Sequence, residues 1–248
     1  MAKANEPSLM QCKFGLEGYY KDFIRACGAV TFAGVDASDM YYNGAAVAVL
    51  PLPVVAAPVE LVSGSAQDDA VALGTGAYTV TVHGLDGNFA YVSETLTMTG
   101  VVAVVGTQPF YRIVRLVVNT CGITETNVGN ISCQAVGAGQ VWDQILAGEG
   151  CSASGLITVP AGKTFWLTEW DFTCNVAVGQ EYIVKTRLYG EAWLCDFRRH
   201  SIIGNQISRD YDPRLALPFP AKTDIKMYAS IGGASSVSGC MVGFLTDD

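Results

Sequence analysis

The sequence predicts an all-β protein, an antiparallel β-sandwich of the jelly-roll kind with an extended N-terminal arm. Only 15% of the 248 residues are charged, 27 are glycine and half are hydrophobic, a composition that favours strands joined by tight turns. From residue 59 onward, short runs of alternating apolar and polar residues follow one another and end at Gly, Pro, Asn or Asp. No helical period of 3.6 residues separates these runs, which is typical of a sandwich or jelly roll.

The first 58 residues alternate less clearly, and we predict that they form an arm or small subdomain. The best helical candidate is the segment 17–27, whose apolar residues are three and four apart; irregular arm structure is the alternative. A proline-rich arm orders on contact and can bury an apolar strip on a neighbour. The interface residues expected in this arm are Pro51, Pro53, Val54 and Val55.

The sandwich is predicted over residues 59–248. Its clearest part is a hairpin over residues 77–100, in which Asp86-Gly87 can supply a turn with positive φ. The Gly-rich interval 137–155 is a candidate boundary between two halves. Further strands are expected over residues 109–120, 128–136, 154–159, 163–178, 180–190, 192–203, 223–233 and 235–246.

The stretch "VPAGKTFWLTEWDFTC" (159–174) contains a Gly-Lys-Thr triplet but does not fit a nucleotide-binding loop. A Walker A motif needs a glycine five positions before Gly162 and a helix after the threonine, whereas Ile157 stands there and a strand-like run follows. We therefore predict a turn that leads into a central strand, with Lys163 contacting no nucleotide. Four residues of this strand are expected to face the core or a subunit interface: Trp166, Trp170, Phe172 and Cys174.

The residue types of common catalytic and metal sites are sparse. There are two histidines, His83 and His200, and no G-x-S-x-G or C-x-x-C motif. Glu169 and Asp171 are the best carboxylate pair, yet their strand face is expected to be solvated. We predict no catalytic residue, no metal and no cofactor. The N-terminus lacks the pattern of a secretory signal, so the eight cysteines are expected to be free thiols, mostly buried.

The charge balance limits the classes of partner. A formal net charge of -8 opposes binding to a nucleic-acid backbone, and three prolines interrupt the most apolar window, residues 44–62, so no membrane span is expected. Low charge density and a mean hydropathy of +0.29 predict apolar surface that other subunits cover. We expect a homo-oligomer, a dimer or trimer.

Several stretches resemble virion structural proteins of tailed bacteriophages, particularly phages of aquatic bacteria. They are "VELVSGSAQDDAVALGTGAYTVTVHGLD", "SETLTMTG", "VPAGKTFWLTEWDFT", "LPFPAKTDIKMYAS" and "VSGCMVGFLTDD", and together they span residues 59–248. These are turn and strand signatures rather than catalytic ones. The resemblance implies a non-enzymatic, β-rich subunit of the virion, which assembles in the cytoplasm of the host bacterium with the major capsid protein or with tail proteins.

The expected function is that of a capsid decoration or cement protein, whose arm and sheets stabilise the particle. The alternative is a tail or tail fibre protein that binds a host-surface glycan through tryptophan and tyrosine side chains at loop ends. A carbohydrate-active enzyme is a third hypothesis, and it would require Glu169 and Asp171 to face a cleft.

Overall fold

A computed structural model describes residues 23–40, 52–152, 154–175, 180–201, 207–210 and 216–248. Within these ranges the regular elements are strands, and every pair with an assigned register is antiparallel. The predicted all-β, antiparallel class is confirmed. The strands are β1 (Phe23–Phe32), β2 (Val35–Asp39), β3 (Val59–Ser63), β4 (Ala77–Leu85), β5 (Tyr91–Thr97), β6 (Val104–Val105), β7 (Arg112–Cys121), β8 (Ile131–Ala135), β9 (Val141–Ile145), β10 (Leu156–Thr158), β11 (Lys163–Cys174), β12 (Gln180–Leu188), β13 (Leu194–Ser201), β14 (Ile207–Asp210), β15 (Leu217–Phe219), β16 (Thr223–Gly232) and β17 (Ser235–Asp247).

The chain divides into two compact units. Unit 1 combines residues 1–37 with residues 155–248, and unit 2 comprises residues 38–154. The division falls at the end of the Gly-rich interval 137–155, which also contains β9.

Part of the predicted arm belongs to the sheets of unit 1. Strand β1 pairs with β17 over ten residues, and β2 pairs with β16. The prediction of an arm is therefore wrong for residues 23–39, and the helical interpretation of residues 17–27 is wrong for residues 23–27; residues 17–22 lie outside the described residues. Pairing with residues 235–244 of β17 satisfies the backbone of β1, and this tertiary context overrides a weak helical spacing.

Unit 2 contains two sheets that share one hydrophobic core. One sheet has the order β6-β3-β8-β9 and the other β5-β4-β7. Both sheets turn apolar side chains toward the same cluster, as alternation along half-buried strands requires. Its fully buried members include Leu61 and Ile131 from the first sheet and Val80, Val82 and Leu116 from the second.

Unit 1 also contains two sheets, with the orders β1-β17-β11-β14 and β10-β16-β12-β13; β15 pairs with β11 at the end of the first. The sheets meet where Phe172 of β11 stacks on Tyr182 of β12, with ring centroids 4.6 Å apart. Burial, together with the neighbouring Cys174 thiol, raises the pKa of Tyr182. The phenol is therefore a neutral core group.

A β-bulge changes which side of β11 faces the core. In the ladder with β17, Leu167 pairs with Gly243 but Glu169 pairs with Val242, so Thr168 is the additional residue. Phe165 and Leu167 are fully buried before the bulge, while Trp170, Phe172 and Cys174 are buried after it. The predicted core face is thus confirmed for Trp170, Phe172 and Cys174. The core alternative is wrong for Trp166, which is half-buried, because an uninterrupted alternation cannot anticipate the bulge. The interface alternative for Trp166 stays a prediction.

The turn before β11 is confirmed. Ala161 and Gly162 form it, Gly162 has a φ of 70°, and the strand begins at Lys163. The predicted hairpin between β4 and β5 is confirmed as well, but its positive φ lies at Phe89 (64°) rather than at Gly87. The Asp86 carboxylate accepts the backbone N–H groups of Asn88 and Ala90 at 2.8 and 2.9 Å, which stabilises this longer turn.

The expectation of free thiols is wrong for one pair of cysteines. Cys27 on β1 and Cys240 on β17 are register partners and form a disulfide. Pairing of β1 with β17 brings together two residues that are 213 positions apart, a contact that spacing along the chain does not reveal. Among the described residues, Cys121, Cys133, Cys151 and Cys174 form no disulfide.

Candidate subunit interface

Asp68 organises the loops at one end of unit 2. Its side chain is fully buried, and its two carboxylate oxygens accept four hydrogen bonds. The donors are the Ser63 hydroxyl at 2.5 Å and the backbone N–H groups of Ala77, Val128 and Gly129 at 2.7, 2.8 and 2.8 Å. A buried carboxylate with a full set of donors holds the surrounding loops in fixed positions, because each lost hydrogen bond would leave a desolvated polar group.

Three loops meet around Asp68. They are the β3–β4 loop (64–76), the loop after β5 (98–103) and the β7–β8 loop (122–130). The backbone N–H of Gly100 donates to the Asp68 carbonyl at 2.8 Å, and that of Ala70 donates to Met98 at 3.0 Å. The backbone N–H of Thr124 donates to Thr75 at 3.0 Å. The three loops therefore form one connected surface.

Large apolar side chains protrude from these loops. We call five of them the loop rim; their exposed fractions range from 58% to 87%. Apolar patches on a rigid support mark sites where a monomer meets a partner. The loop rim consists of Val71, Leu73, Val101, Val102 and Ile123.

Leu73 has the least favourable backbone in the loop rim. Its φ is 52°, a left-handed conformation that suits glycine or asparagine, and its side chain is 77% exposed. A leucine there costs backbone strain and gains little burial within the chain. Strained backbone conformations are concentrated at functional sites, so the outlier at Leu73 suggests that its exposed side chain has a function.

The charges near the loop rim are acidic. Asp69 and Glu125 lie in its loops, and Glu149 lies in the adjacent β9–β10 loop. A hydrogen bond of 3.0 Å from the backbone N–H of Gly150 to the Asn127 side chain connects this loop to the β7–β8 loop. The whole of unit 2 contains nine acidic residues, two arginines and no lysine, a formal charge of -7. The surface is thus apolar at its centre and negative at its edge.

The interface residues predicted before β3 have different environments. Pro51 lies outside the described residues, and Pro53 is buried, with its carbonyl accepting a hydrogen bond from Arg112 Nη1 at 3.1 Å. Val54 and Val55 are 88% and 66% exposed. The segment is anchored to unit 2 by the buried Arg112, and its two valines are available to a partner.

Trp166 and Trp170, the other two predicted interface residues, have neighbours within unit 1. Trp166 stacks on Phe244 with centroids 6.5 Å apart, and its indole N–H donates to Thr246 at 2.9 Å. Trp170 is 5% exposed and meets Phe172 edge-on at 5.2 Å. Trp170 is therefore a core residue of this unit.

A cluster of cations and aromatic rings lies on β12, β16 and the β12–β13 hairpin of unit 1. Arg187 pairs with the buried Asp224 at 2.6 Å, and Asp224 also accepts the Thr158 hydroxyl at 2.6 Å. The Arg187 guanidinium and the Lys226 ammonium lie 4.5 and 4.1 Å from the centre of the Trp193 ring. These cation–π contacts stabilise the positive charges beside the hairpin.

Other buried polar groups support turns and strands. Glu60 accepts hydrogen bonds from the Gln134 side chain at 2.6 Å and from the backbones of Gly137 and Ala138 at 2.9 and 2.7 Å. These bonds lower the pKa of Glu60. Complete burial, with the nearby Asp143 carboxylate as a smaller cause, raises the pKa of the Cys133 thiol. Cys133 is thus held as a neutral thiol in the core of unit 2.

The residues considered for catalysis or nucleotide binding lie in strand β11. Asp171 accepts the backbone N–H of Cys240 at 2.7 Å, and Lys163 pairs with Asp247 at 2.7 Å. Glu169 lies half-buried on β11. The described residues contain no group of three His, Cys, Asp or Glu side chains that could hold a metal, and no helix that could cross a membrane.

The sequence did not single out the loop rim or Asp68. The available signal was a leucine directly before Gly74 in a loop rich in Gly and small residues, since turns rarely retain a leucine without a use for it.

No protein-family model matches the chain, and no curated protein matches it. Among solved structures, two structures of infectious bursal disease virus, of the Gt and Gx strains, show a distant likeness. Each is 11% identical and covers 90% of this chain; the shares of the viral chains are 71% and 70%, with TM-scores of 0.20 and 0.21. Likeness at this level supports no statement about the fold or the function of this chain.

Proposed function

We propose that the chain is a non-enzymatic structural subunit of a tailed-phage virion, a decoration or cement protein of the capsid. The observation that carries the proposal is the loop rim: exposed apolar side chains on loops that Asp68 fixes in place. A rigid apolar surface binds a partner with little entropic cost. The resemblance to phage virion proteins supplies the kind of partner, the major capsid protein or a neighbouring subunit.

The disulfide is compatible with a location in the virion. Disulfides are rare in proteins that remain in a reducing cytoplasm, whereas a virion assembled in the bacterial cytoplasm is released into an oxidising medium. The bond between Cys27 and Cys240 holds the edge strand β1 against β17. It would strengthen the subunit in the released particle.

We also propose that the fold is a jelly-roll-like sandwich. The hydrophobic core that the two sheets of unit 2 share supports this assignment.

The tryptophans favour a capsid role over glycan binding by a tail or fibre protein. A sugar stacks on an open aromatic face. Trp142 packs against the core of unit 2, and Trp166 and Trp170 contact other rings. The Trp193 ring is in contact with Arg187 and Lys226.

The proposal is tested by adding the chain back to particles made without it. Purified, fluorescently labelled protein should bind to the heads of such particles and raise the temperature at which they release DNA. Labelling confined to tails, with retention on a glycan array, would instead establish the tail or fibre alternative. Absence of the protein from particles would overturn both.

A further inference from the structure

The β5-β4-β7 sheet of unit 2 has one face on the core and one face turned away from it. Val82 and Leu116 belong to the core, so the residues next to them, His83 and Arg115, point to the other side of the sheet. Both side chains are exposed, as is Ser93 on β5. This outward face is distinct from the loops that carry the loop rim.

Three side chains of the outward face form one row across the sheet. His83 on β4 is the register partner of Ser93 on β5 and of Arg115 on β7. Register partners in an antiparallel ladder have side chains on the same face, with Cβ atoms about 4.5–5.5 Å apart. The row brings together a hydroxyl, an imidazole and a guanidinium, and we call it the cross-strand row.

A β-bulge places Arg115 in the cross-strand row. In the ladder between β4 and β7, Ile113 pairs with Gly84. The next pair is His83 with Arg115, so Val114 is the additional residue. In a regular ladder Val114 would lie opposite His83, and Arg115 would face the core. Bulges that redirect a side chain are over-represented next to active sites.

Arg115 is an exposed cation in an acidic unit. Unit 2 contains nine acidic residues and two arginines, and the other arginine, Arg112, is buried. The ion pairs between described side chains do not include Arg115. Glu94 follows Ser93 but alternates to the other side of β5, where its carboxylate accepts the backbone N–H of Thr107 at 2.8 Å. The cross-strand row is therefore a local positive site.

The charge of Arg115 acts on His83. Partial burial and, as a smaller cause, the Arg115 guanidinium lower the pKa of His83. The imidazole is thus neutral at pH 7 and becomes a second cation in acid. An anion bound beside these two groups would oppose the effect of Arg115.

We propose that the cross-strand row binds an oxyanion: a phosphate, sulfate or carboxylate group. Arg115 supplies a fixed positive charge and a planar fork of N–H donors that matches such a group. His83 supplies a ring N–H and Ser93 a hydroxyl. This site does not depend on the loop rim or on the proposed virion function.

Two sources offer this chemistry: a free inorganic anion and the acidic group of a saccharide. Tyr91 lies two residues before Ser93 on β5, about 7 Å along the strand, and is 53% exposed. An aromatic ring at this distance reaches the sugar that carries a bound acidic group but does not reach an inorganic ion. Replacement of Tyr91 therefore distinguishes the two sources.

The first test is a titration of the full chain with sulfate, followed by NMR of the histidine rings. The variant His83→Gln identifies the signal of His83, because His200 remains. Bound sulfate raises the pKa of His83 saturably, by about one pH unit, since an anion stabilises the imidazolium. Sodium chloride at the same ionic strength is the control, because screening of Arg115 also raises this pKa. A change no larger than that in chloride would overturn the proposal.

Substitution of Arg115 tests the main contact. Arg115→Gln keeps a polar side chain and removes the charge, so it weakens sulfate binding about tenfold or more, and Arg115→Lys has an intermediate effect. The matched control Thr97→Val changes an exposed residue two rows away on the same face and leaves binding unchanged. Thermal unfolding verifies that each variant is folded. Binding that is indifferent to Arg115→Gln in a folded chain would overturn the site.

The dependence of binding on pH tests His83. Affinity for sulfate rises as the pH falls below 6.5, the ordinary pKa of histidine, because the protonated ring adds a positive charge. The variant His83→Gln binds sulfate without this rise. The same rise in the variant would overturn the proposal that the row acts as one site.

The last test separates the two sources of the oxyanion. Inorganic phosphate and glucose 1-phosphate are compared at one pH on the wild type and on Tyr91→Ala. Tighter binding of the sugar phosphate that is lost in Tyr91→Ala assigns the site to an acidic saccharide, and equal binding of both probes assigns it to a free anion. Binding of the uncharged methyl glucoside in place of both would overturn the oxyanion site.

Discussion

Cys27 and Cys240 lie directly opposite each other in the β1–β17 ladder, with their Cα atoms 4.1 Å apart, and join the two ends of the chain by a disulfide. Strand β1 pairs only with β17 among the described strands, so this bond holds an edge strand in place. The same contact makes residues 23–32 part of the sheet rather than of an arm.

The double variant Cys27→Ser/Cys240→Ser should lower the free energy of unfolding by about 2–5 kcal/mol, because the disulfide restricts a long loop in the unfolded chain. Urea unfolding of the wild type with and without reductant measures this difference. The double variant serves as the control, since reductant should not change its midpoint. Equal midpoints for the oxidised and reduced wild type would show that β1 needs no covalent tie.

Replacement of Asp68 should disorder the loop rim. In Asp68→Asn an amide N–H₂ faces donors that the carboxylate accepted, and we expect a loss of about 2–3 kcal/mol in unfolding free energy. Asp69→Asn is the matched control one residue along, because Asp69 uses a single oxygen to accept the N–H groups of Val71 and Ala72, which an asparagine oxygen can also do. Urea unfolding compares the unfolding free energies of the two variants. Similar losses in both would argue against Asp68 as the residue that holds the loops in place.

Glu60 should make the free energy of unfolding depend on pH in the acidic range. Its folded-state pKa is lowered by hydrogen bonds from Gln134, Gly137 and Ala138, so its contribution is present above the unfolded pKa, near 4.5. That contribution is lost as the pH falls through the folded pKa. Glu60→Gln should therefore be less stable than the wild type at pH 7, by about 1–3 kcal/mol, with a difference that shrinks below about pH 4.5.

Thermal unfolding of both proteins from pH 7 to pH 3 checks this dependence. Glu125→Gln is the control, since Glu125 is exposed and should leave the pH profile unchanged. A difference between wild type and Glu60→Gln that stays constant to pH 3 would show that the charge of Glu60 is not involved.

The strands of this fold were predictable because alternation and turn residues are local signals. The hairpin of β4 and β5 and the turn at Gly162 are examples. What escaped prediction depends on contacts between distant segments. Nothing in "DD" distinguishes Asp68 from Asp69: the first is buried because the N–H groups of Val128 and Gly129, sixty residues away, point at it.

The sequence indicated that an exposed apolar surface exists, but not which residues form it. Low charge density indicated that the chain would carry apolar surface, yet which apolar residues remain exposed is decided by the packing. Trp170 is an example: it was expected at the core or an interface and lies in the core, while Leu73, in a loop for which no interface was predicted, is exposed.

The bulge at Thr168 gives the last prediction. Deleting Thr168 would restore an uninterrupted alternation in which Phe165, Leu167, Trp170 and Phe172 keep the same face, because Thr168 is the residue at which the buried positions shift by one. The deletion should therefore retain these side chains in the core and lose only the extra residue and its local bend. Thr168→Val keeps the extra residue and loses only the hydroxyl bond to the Val242 carbonyl at 3.1 Å, a change worth about 1 kcal/mol. We expect both variants to unfold cooperatively, slightly below the wild type, when unfolding is followed by circular dichroism. An unfolded deletion variant would show that the bend at Thr168, and not only the alternation of faces, is needed for the fold of β11.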